Sequence, residues 1–187
     1  MDAAEHLLKP AAIGVIPTDT VYGLAARAAD RAAADRLYKL KGRADKPGTL
    51  IAADLQQLED LGLKHRYLKA VEQFWPAAVS VVIPVSNPEL SYLHQGKMSL
   101  AVRIPDDAKL QKLLRQTGPL LTSSANHPGQ TAAGTIEQAK LYFGQEADFY
   151  EDGGDLSNRE PSTVIRIVDD AIEVLRPGAV KIGDDTM

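Results

Sequence analysis

Hydrophobic residues along the chain recur with two different periods, and the longer period predicts helices. Within residues 29–42, apolar residues repeat at helical spacing, Asp30 precedes the repeat as a suitable N-cap, and Gly42 follows it. Similar patterns predict further helices in three places, at residues 63–76, 106–118 and 135–144.

Short apolar runs predict strands. They occupy residues 11–17, 49–53, 78–85, 99–105, 119–123 and 147–154. Two later runs, residues 162–168 and 172–178, are joined at Asp169 and Asp170 and predict a hairpin. Because helices and strands alternate early and strands dominate late, we expect an α/β fold. We expect one domain over residues 1–187, with its core at about 8–180, built as a twisted open mixed sheet flanked by helices.

The composition is that of an ordinary globular domain, and it excludes several kinds of site. Of the 187 residues, 44% are hydrophobic and 25% are charged, which is typical of a single soluble domain. The net charge of −4 argues against nucleic-acid binding by bulk charge, although a local basic patch is compatible with it. The absence of cysteine excludes disulfides, thiolate metal sites and cysteine nucleophiles. No apolar run approaches a membrane span and the first residues do not resemble a signal peptide, so we expect a cytoplasmic protein without membrane association.

Three common motifs of nucleotide and acyl chemistry are missing from the sequence. There is no G-x-x-x-x-G-K-[ST] loop, no G-x-G-x-x-G turn after the first strand and no G-x-S-x-G elbow. A phosphate-binding site would therefore have to gather side chains from separate segments.

Two polar segments near the start of the chain are candidates for such a site. Thr20 and Tyr22 follow the first predicted strand, and ligands of open α/β sheets collect outside the carboxyl ends of strands. Lys41 and Arg43 belong to a cation-rich stretch, residues 39–48, that suits an arm reaching for an anionic ligand. The alternatives are a capped turn in the first case and a solvated helix end, favoured by the helix dipole, in the second.

Two later strands carry polar residues in alternation. Ser99 and Arg103 share one face of their strand, where a charge is costly unless it is paired, so the alternative is a structural salt bridge. Thr122, Ser124 and Asn126 alternate along the next strand and its exit, and can line one face together. Their alternative is a polar loop of the kind that Ser, Thr and Asn favour.

The predicted C-terminal hairpin carries two more candidates. Ser162 begins its first arm, and Arg176 ends its second arm. We expect these two residues to lie near opposite ends of the hairpin unless the sheet curls.

Taken together and in this order, six stretches resemble the YrdC-like family, and in particular its TsaC-type threonylcarbamoyl-AMP synthases. The stretches are PTDTVYGL, KGR, SLAVRIP, SSAN, PSTVI and LRPG. The resemblance extends from about Ile13 to Gly178 and is to the short form of the family, without the extra C-terminal domain of longer members. It implies a YrdC-like fold and the synthesis of threonylcarbamoyl-AMP and pyrophosphate from L-threonine, bicarbonate and ATP. This reaction is the first step in forming threonylcarbamoyladenosine in tRNA.

The same resemblance implies roles for individual residues. The catalytic residues implied are Lys41 and Arg43. The residues implied to contact ATP are Lys41, Arg43, Ser124, Asn126 and Arg176. Those implied to contact threonine are Thr20, Tyr22, Ser99, Arg103, Thr122 and Ser162. The resemblance also implies Mg²⁺ carried by ATP without an assigned protein ligand and a downstream threonylcarbamoyl transferase machinery, and it leaves weak binding of tRNA or double-stranded RNA open.

The stretch after Arg43 departs from the family pattern. Ala44 stands where proline is common, and the loop through Thr49 is one residue shorter than usual and has no His or Asn. A further family serine is replaced by Ala132. We expect residues 43–49 to form a lid that orders on ATP binding and that trypsin cuts after Arg43 when ATP is absent.

Two other functions are compatible with this resemblance. One is a non-catalytic, translation-associated RNA-binding protein of the same fold, against which the negative net charge and the intact K-x-R and S-x-N patterns argue. The other is carbamoyl-adenylate chemistry of the kind used in hydrogenase maturation, whose zinc-finger and acylphosphatase-like segments are absent here.

Overall fold

Nine strands form one mixed sheet in the part of the chain that the structure, a computed structural model, describes, which is residues 2–42 and 46–183. In chain order the strands are β1 (Ile13–Pro17), β2 (Tyr22–Arg27), β3 (Thr49–Ile51), β4 (Val79–Pro84), β5 (Ser99–Arg103), β6 (Leu120–Ser124), β7 (Phe149–Tyr150), β8 (Thr163–Val168) and β9 (Ala171–Arg176). Across the sheet the order is β7-β1-β2-β6-β3-β5-β4-β8-β9. The pairs β1–β7, β3–β5 and β4–β8 are parallel and the other neighbours are antiparallel, which confirms the predicted mixed sheet.

The described residues also form α-helices, and two of the predicted helix starts are confirmed by their caps. The helices are α1 (Ala3–Leu7), α2 (Arg31–Leu40), α3 (Leu55–Leu61), α4 (His65–Lys69), α5 (Ser91–His94), α6 (Ala108–Thr117) and α7 (Ile136–Phe143). The Asp30 carboxylate accepts a hydrogen bond from the Ala33 N–H at 3.0 Å. Asp107 accepts one from the Leu110 N–H at 2.8 Å. Such caps satisfy backbone donors that the first helical turn leaves without partners.

One prediction about local structure was wrong, and one strand was missed. The predicted helix at residues 63–76 is broken, because α4 ends at Lys69 and only a short 3-10 turn follows at Glu72–Phe74. Pro76 restricts the residue before it, and Trp75 is accordingly extended, with φ −125° and ψ 153°. The strand β2 was not predicted, because its residues are buried almost throughout and show no alternation of apolar and polar positions.

The helices cover the two faces of the sheet unequally. Neighbouring residues of a strand enter separate apolar clusters, as Leu50 and Ile51 of β3 do. On the Leu50 face, the cluster includes buried residues of α2, α3, α4, α5 and α7. On the Ile51 face, the helical residues of the cluster come from α1 and α6. The Ile51 face therefore has room for a cavity beside these two helices.

An ion pair ties α2 to the edge of the sheet where β7 begins. The Arg36 guanidinium donates to both carboxylate oxygens of Asp148, at 2.6 and 2.9 Å. Asp148 also accepts a hydrogen bond from the Ile13 N–H at 2.8 Å, at the start of β1. Partial burial pushes the pKa of the Asp148 carboxyl upward, but the hydrogen bonds from Arg36 and Ile13 outweigh burial and hold that pKa below its ordinary value.

We predict that Asp148→Asn lowers the free energy of unfolding by about 1 kcal/mol at pH 7, because it weakens the charge-assisted bonds to Arg36. A carboxyl whose pKa is lower in the folded than in the unfolded state stabilises the protein above its unfolded pKa, and this contribution is lost as the pH falls through the folded pKa. The difference between wild type and variant should therefore shrink below about pH 4. Urea unfolding at pH 7, 5 and 3 measures it.

Asp60→Asn is the matched control, because Asp60 is on the surface and its side chain accepts, among the described residues, only from Gln56 one helical turn away. Its effect should stay within about 0.5 kcal/mol at each pH. A difference between wild type and Asp148→Asn that is the same at pH 7 and pH 3 would contradict the assignment of the effect to the carboxylate charge.

Candidate active site

A polar cavity of about 220 Å³ lies on the Ile51 face of the sheet. Thr122 of β6, Thr49 of β3 and Ala101 of β5 are register partners across three strands, and all three line the cavity. Two positions along β3 from Thr49, Ile51 already belongs to the apolar cluster under α1 and α6. The change from apolar to small and hydroxyl-bearing residues along one face therefore marks where helix packing ends and ligand space begins.

A second cavity of about 330 Å³ adjoins the first. The two cavities share the lining residues Val21, Ser124, Pro161 and Arg176. We therefore treat them as two lobes of one site, and call them the sheet lobe and the loop lobe. The loop lobe extends over residues 130–134 and 156–159.

The electrostatic character of both lobes is positive. Arginines line them: Arg103 and Arg176 the sheet lobe, and Arg159 and Arg176 the loop lobe. Among the described residues, no aspartate or glutamate lines either lobe. In a chain whose net charge is −4, this separation of charge favours an anionic ligand.

Two larger cavities have a different character, and one of them adjoins the lobes through Thr18, Leu156 and Arg159. One, of about 520 Å³, lies beside α1 and α6 and mixes acidic residues such as Asp107 and Glu151 with Lys109 and Lys112. The other, of about 540 Å³, lies against Trp75. Neither gathers the polar residues that the sequence singled out, so volume alone does not identify the site.

Most of the predicted site residues converge on the two lobes. Those that line the sheet lobe are Thr20, Tyr22, Arg103, Thr122, Ser124, Ser162 and Arg176. Asn126 lines the loop lobe together with Ser124 and Arg176. Ser99 lines neither, and its hydroxyl is 3.4 Å from the Lys97 carbonyl oxygen at the far end of β5. The first three residues of the predicted lid, Arg43 among them, lie outside the described residues.

Lys41 is buried beneath the site and lines neither lobe. Its ammonium donates to the Ser124 carbonyl at 2.7 Å, the Asn126 carbonyl at 2.6 Å and Asn126 Oδ1 at 3.2 Å. Only 1% of the residue is exposed, so the alternative of a solvated helix end is wrong for Lys41. The reason is that the residues at the end of β6 place their oxygen acceptors next to the C-terminus of α2. Lys41 thereby fixes the turn that carries Ser124 and Asn126.

Arg103 forms a buried ion pair, as the alternative reading of its strand anticipated. Its Nη2 is 3.0 Å from Asp19 Oδ1, and both side chains are only 5% exposed. Burial raises the pKa of the Asp19 carboxyl, and the charge and hydrogen bond of Arg103 oppose that rise. The pair is not closed off from the site, because Arg103 also lines the sheet lobe. A structural pairing and a ligand contact are therefore compatible for this arginine.

Ser162 and Arg176 are in direct contact, which corrects the expectation that they lie near opposite ends of the hairpin. An antiparallel hairpin brings the start of its first strand to the end of its second, and Val164 pairs with Arg176. The chain reverses at Asp169 and Asp170, which both have positive φ. Arg176 Nη2 lies 2.8 Å from the Ser162 carbonyl oxygen and 3.1 Å from its hydroxyl.

Gly178 permits this arrangement after β9. A Cβ atom at that position would lie 2.2 Å from the Pro161 carbonyl oxygen, which is closer than atoms can approach. Any other residue would push the segment after Arg176 away from the segment before Ser162. The glycine of the LRPG stretch therefore serves close backbone packing at the edge of the site.

The other hydroxyl groups of the sheet lobe have mostly structural partners. The Tyr22 hydroxyl donates to the Gly154 carbonyl and accepts from the Gly153 N–H, both at 2.8 Å, so it supports the loop after β7. Thr122 Oγ1 donates to the Thr49 carbonyl at 3.0 Å. Thr20 Oγ1 lies 3.1 Å from Thr18 Oγ1, and both threonines line the lobe.

The sequence analysis missed two residues that the structure places at or beside the site. Ser80 of β4 donates to or accepts from Ser162 at 2.9 Å and accepts from Arg103 at 3.1 Å. It is the single polar residue in the apolar run at 78–85, which was a detectable signal. Arg159 lines the loop lobe, but nothing in its sequence neighbourhood distinguishes it from a surface arginine.

Two curated proteins are similar to this chain over most of its length. The chain is 33% identical to a putative threonylcarbamoyl-AMP synthase of Mycobacterium leprae, over 96% of this chain and 83% of that protein. It is 32% identical to the threonylcarbamoyl-AMP synthase of Bacillus subtilis, over 95% of this chain and 53% of that protein. The chain therefore spans only about half the length of the B. subtilis relative.

A solved structure has the same fold. The crystal structure of P. abyssi Sua5 complexed with L-threonine superposes with a TM-score of 0.81 at 30% identity, and covers 94% of this chain and 53% of that one. The sequence profile of the Sua5/YciO/YrdC family, which carries the description "Telomere recombination", matches residues 6–178. Because that match includes nearly all of the sheet and every described residue of the two lobes, the chain belongs to the Sua5/YciO/YrdC family.

Proposed function

We propose that this chain is a threonylcarbamoyl-AMP synthase, a nucleotidyltransferase that converts L-threonine, bicarbonate and ATP to threonylcarbamoyl-AMP and pyrophosphate. The observation that carries the proposal is the two-lobed site, which is lined by arginines and hydroxyl groups and by no described carboxylate. A small polar lobe and an adjoining larger lobe suit an amino acid and a nucleotide respectively. The relatives named as synthases supply the reaction.

The proposed chemistry needs positioning more than covalent help from the protein. The threonine amine adds to the carbon of bicarbonate, and water leaves, which gives the threonine carbamate. A carbamate oxygen then attacks the α-phosphorus of ATP, and pyrophosphate leaves. Both steps gain from reactants held in line, from fixed positive charge near the phosphates and from a site that excludes water.

The residues divide between these tasks according to the lobe that they line. Arg103, with its charge anchored by Asp19, is placed to hold the carboxylate of threonine in the sheet lobe. Arg176 lines both lobes, and we assign it to the α-phosphate on that ground. Ser124 and Asn126 are placed to bind the ribose or phosphates of the nucleotide. The catalytic role for Arg43 rests on family resemblance.

Mg²⁺ would enter this site with ATP. The described residues contain no group of three or more His, Asp or Glu side chains that could hold a metal ion. The described lining of both lobes offers hydroxyl, amide and guanidinium groups but no carboxylate. This donor set fits an ion held by phosphate oxygens, and the ion would supply further neutralisation of phosphate charge.

The same proposal includes partners and a location. Threonylcarbamoyl-AMP would pass to a threonylcarbamoyl transferase machinery that acts on tRNA, in the cytoplasm, and weak RNA binding by this chain is compatible with that role. Among the described residues, none of the helices has the length and apolar character needed to cross a bilayer. The competing proposal is a non-catalytic RNA-binding protein. A measurement of catalytic turnover distinguishes the two proposals.

We predict that pyrophosphate release from ATP requires threonine and bicarbonate together. The assay omits each in turn, with bicarbonate removed by degassing and by buffers free of carbon dioxide. Release should fall to background in both omissions, because the carbamate is the only nucleophile expected to reach the α-phosphorus. Release that continues unchanged without either substrate would refute the synthase proposal, and RNA binding without any turnover would favour the competing one.

We predict that Lys41→Ala lowers both stability and activity. Removing the ammonium takes the lysine donor away from the Asn126 carbonyl oxygen and leaves the Ser124 carbonyl oxygen with the Asn126 N–H, which should cost about 2 kcal/mol of the free energy of unfolding. The turn that carries Asn126 should then lose its position, so turnover should fall as well. Thermal melting and pyrophosphate release measure the two effects.

Lys39→Ala is the matched control, since Lys39 is exposed at the same helix end. It should change the unfolding free energy by no more than about 0.5 kcal/mol. If Lys41→Ala melted like wild type and changed only the KM for ATP, the lysine would contact phosphate rather than hold the turn.

A further inference from the structure

The cavity of about 540 Å³ against Trp75 is separate from the two lobes, and we call it the Trp75 cavity. It shares no described lining residue with either lobe. Its lining includes residues 53–55 after β3, residues 104–106 after β5, and Gln111 and Arg115 of α6. Because β3 and β5 are parallel neighbours, the cavity lies at the carboxyl ends of parallel strands, where α/β sheets commonly bind ligands.

Trp75 gives this cavity a fixed aromatic wall. Its indole N–H donates to the Val79 carbonyl oxygen at 2.8 Å, and the ring packs against the apolar cluster that includes Leu50. Because this donor is already used, the indole has only its π surface to offer an occupant. Pro76 and Pro105 also line the cavity, so a planar or apolar portion of an occupant is well matched.

The charges around the Trp75 cavity are mostly negative. Asp54, Glu72 and Asp106 line it, and Arg115 is the only cation among its described lining residues. Glu72 is paired with Lys69 at 2.6 Å, whereas neither Asp106 nor Arg115 forms an ion pair among the described residues. The cavity is therefore opposite in sign to the two lobes, and it favours a cation.

Gln111 adds an acceptor to the lining. Its Nε2 donates to the Pro105 carbonyl oxygen at 2.8 Å, which fixes the orientation of the amide. Its Oε1 is buried and has no donor among the described residues, and a buried acceptor without a donor is costly. An occupant that carries several N–H groups can relieve that cost.

We propose that the Trp75 cavity docks an arginine side chain from a basic segment of a partner protein. A guanidinium is planar and stacks on an aromatic face, whereas an ammonium is a point charge that stacks less well. Its five N–H groups can serve the carboxylates and the Gln111 acceptor together. The proposal goes beyond the proposed function and does not depend on it, because this cavity and the lobes have no described lining residue in common.

Fluorescence tests the proposal directly, because Trp75 is the only tryptophan of the chain. The probe is the blocked peptide acetyl-Gly-Arg-Gly-amide, titrated at constant ionic strength. We expect a saturable change in Trp75 emission, with a Kd on the order of 1 mM for a single side chain. The same peptide with citrulline, the neutral isostere of arginine, should bind roughly tenfold more weakly, and the lysine peptide roughly threefold more weakly.

Variants of the lining should change the affinity in opposite directions. Asp106→Asn and Asp54→Asn should each weaken binding of the arginine peptide roughly two- to fivefold, and Asn at position 54 still caps α3. Arg115→Gln should tighten it about twofold, because it removes a like charge. Asp60→Asn is the matched control and should change nothing, because Asp60 is an exposed carboxylate outside the cavity. Equal melting temperatures establish that the variants are folded.

Several results would overturn the proposal. They are no saturable response to the arginine peptide, equal binding of the citrulline or lysine peptide, and unchanged affinity in Asp106→Asn. Tighter binding of free arginine than of the blocked peptide would assign the cavity to a small molecule instead. Trp75 emission that changes when the protein alone is diluted would assign it to a second copy of the chain. Pyrophosphate release is a separate assay, so failure of the proposed function would leave these results standing.

Discussion

The arrangement of the site depends on how one buried cation is held. Arg103 ends a strand in the middle of the sheet, where an unpaired charge would be costly. Its partner Asp19 comes from the turn between β1 and β2, and its second acceptor, Ser80, comes from β4. The arginine therefore links segments from separate parts of the sheet, and each must be in place before the charge is satisfied. The same demand that stabilises the fold also aims the guanidinium at the cavity.

Lys41 follows the same principle from the other side of β6. Its ammonium donates to three oxygens of the Ser124–Asn126 turn. A lysine near the end of a helix is commonly solvated, but this one supports the site. Buried charges of this kind are poor evidence for net stability, because desolvation offsets the gain, but breaking one side is destabilising. Position, rather than stability, is what these two cations contribute to the site.

The sequence predicted the parts of the fold that local patterns determine. The helix at residues 29–42 and the hairpin at 162–178 were correct in kind, because caps, periodicity and turn residues act over a few positions. The helix at 63–76 was wrong because Pro76 and the residues before it compete with the apolar repeat. β2 was missed because a strand buried on both sides carries no alternation.

The limits of sequence-based prediction at the site have a similar physical cause. The order of the segments was enough to predict that Thr122, Ser124 and Arg103 lie close together, because the ends of these strands meet in one region of the sheet. Sequence alone could not show that Lys41 meets acceptors some eighty positions away, or that Ser162 touches Arg176 across the hairpin. Those contacts depend on register and on which face each strand turns inward. They are properties of the assembled sheet and leave no local signature.

The position of β8 and β9 at one edge of the sheet has a further consequence. In the described structure β9 pairs only with β8, and the hairpin exposes Ile167, Val168, Val174 and Leu175 to solvent. Within the sheet, the hairpin is joined to the remaining strands through the β4–β8 pairing alone, so it opens locally at a lower free energy than the whole domain unfolds. Ser162 and Arg176 are at the base of this hairpin. Local opening of this hairpin therefore separates Ser162 and Arg176 from the rest of the site without unfolding the centre of the sheet.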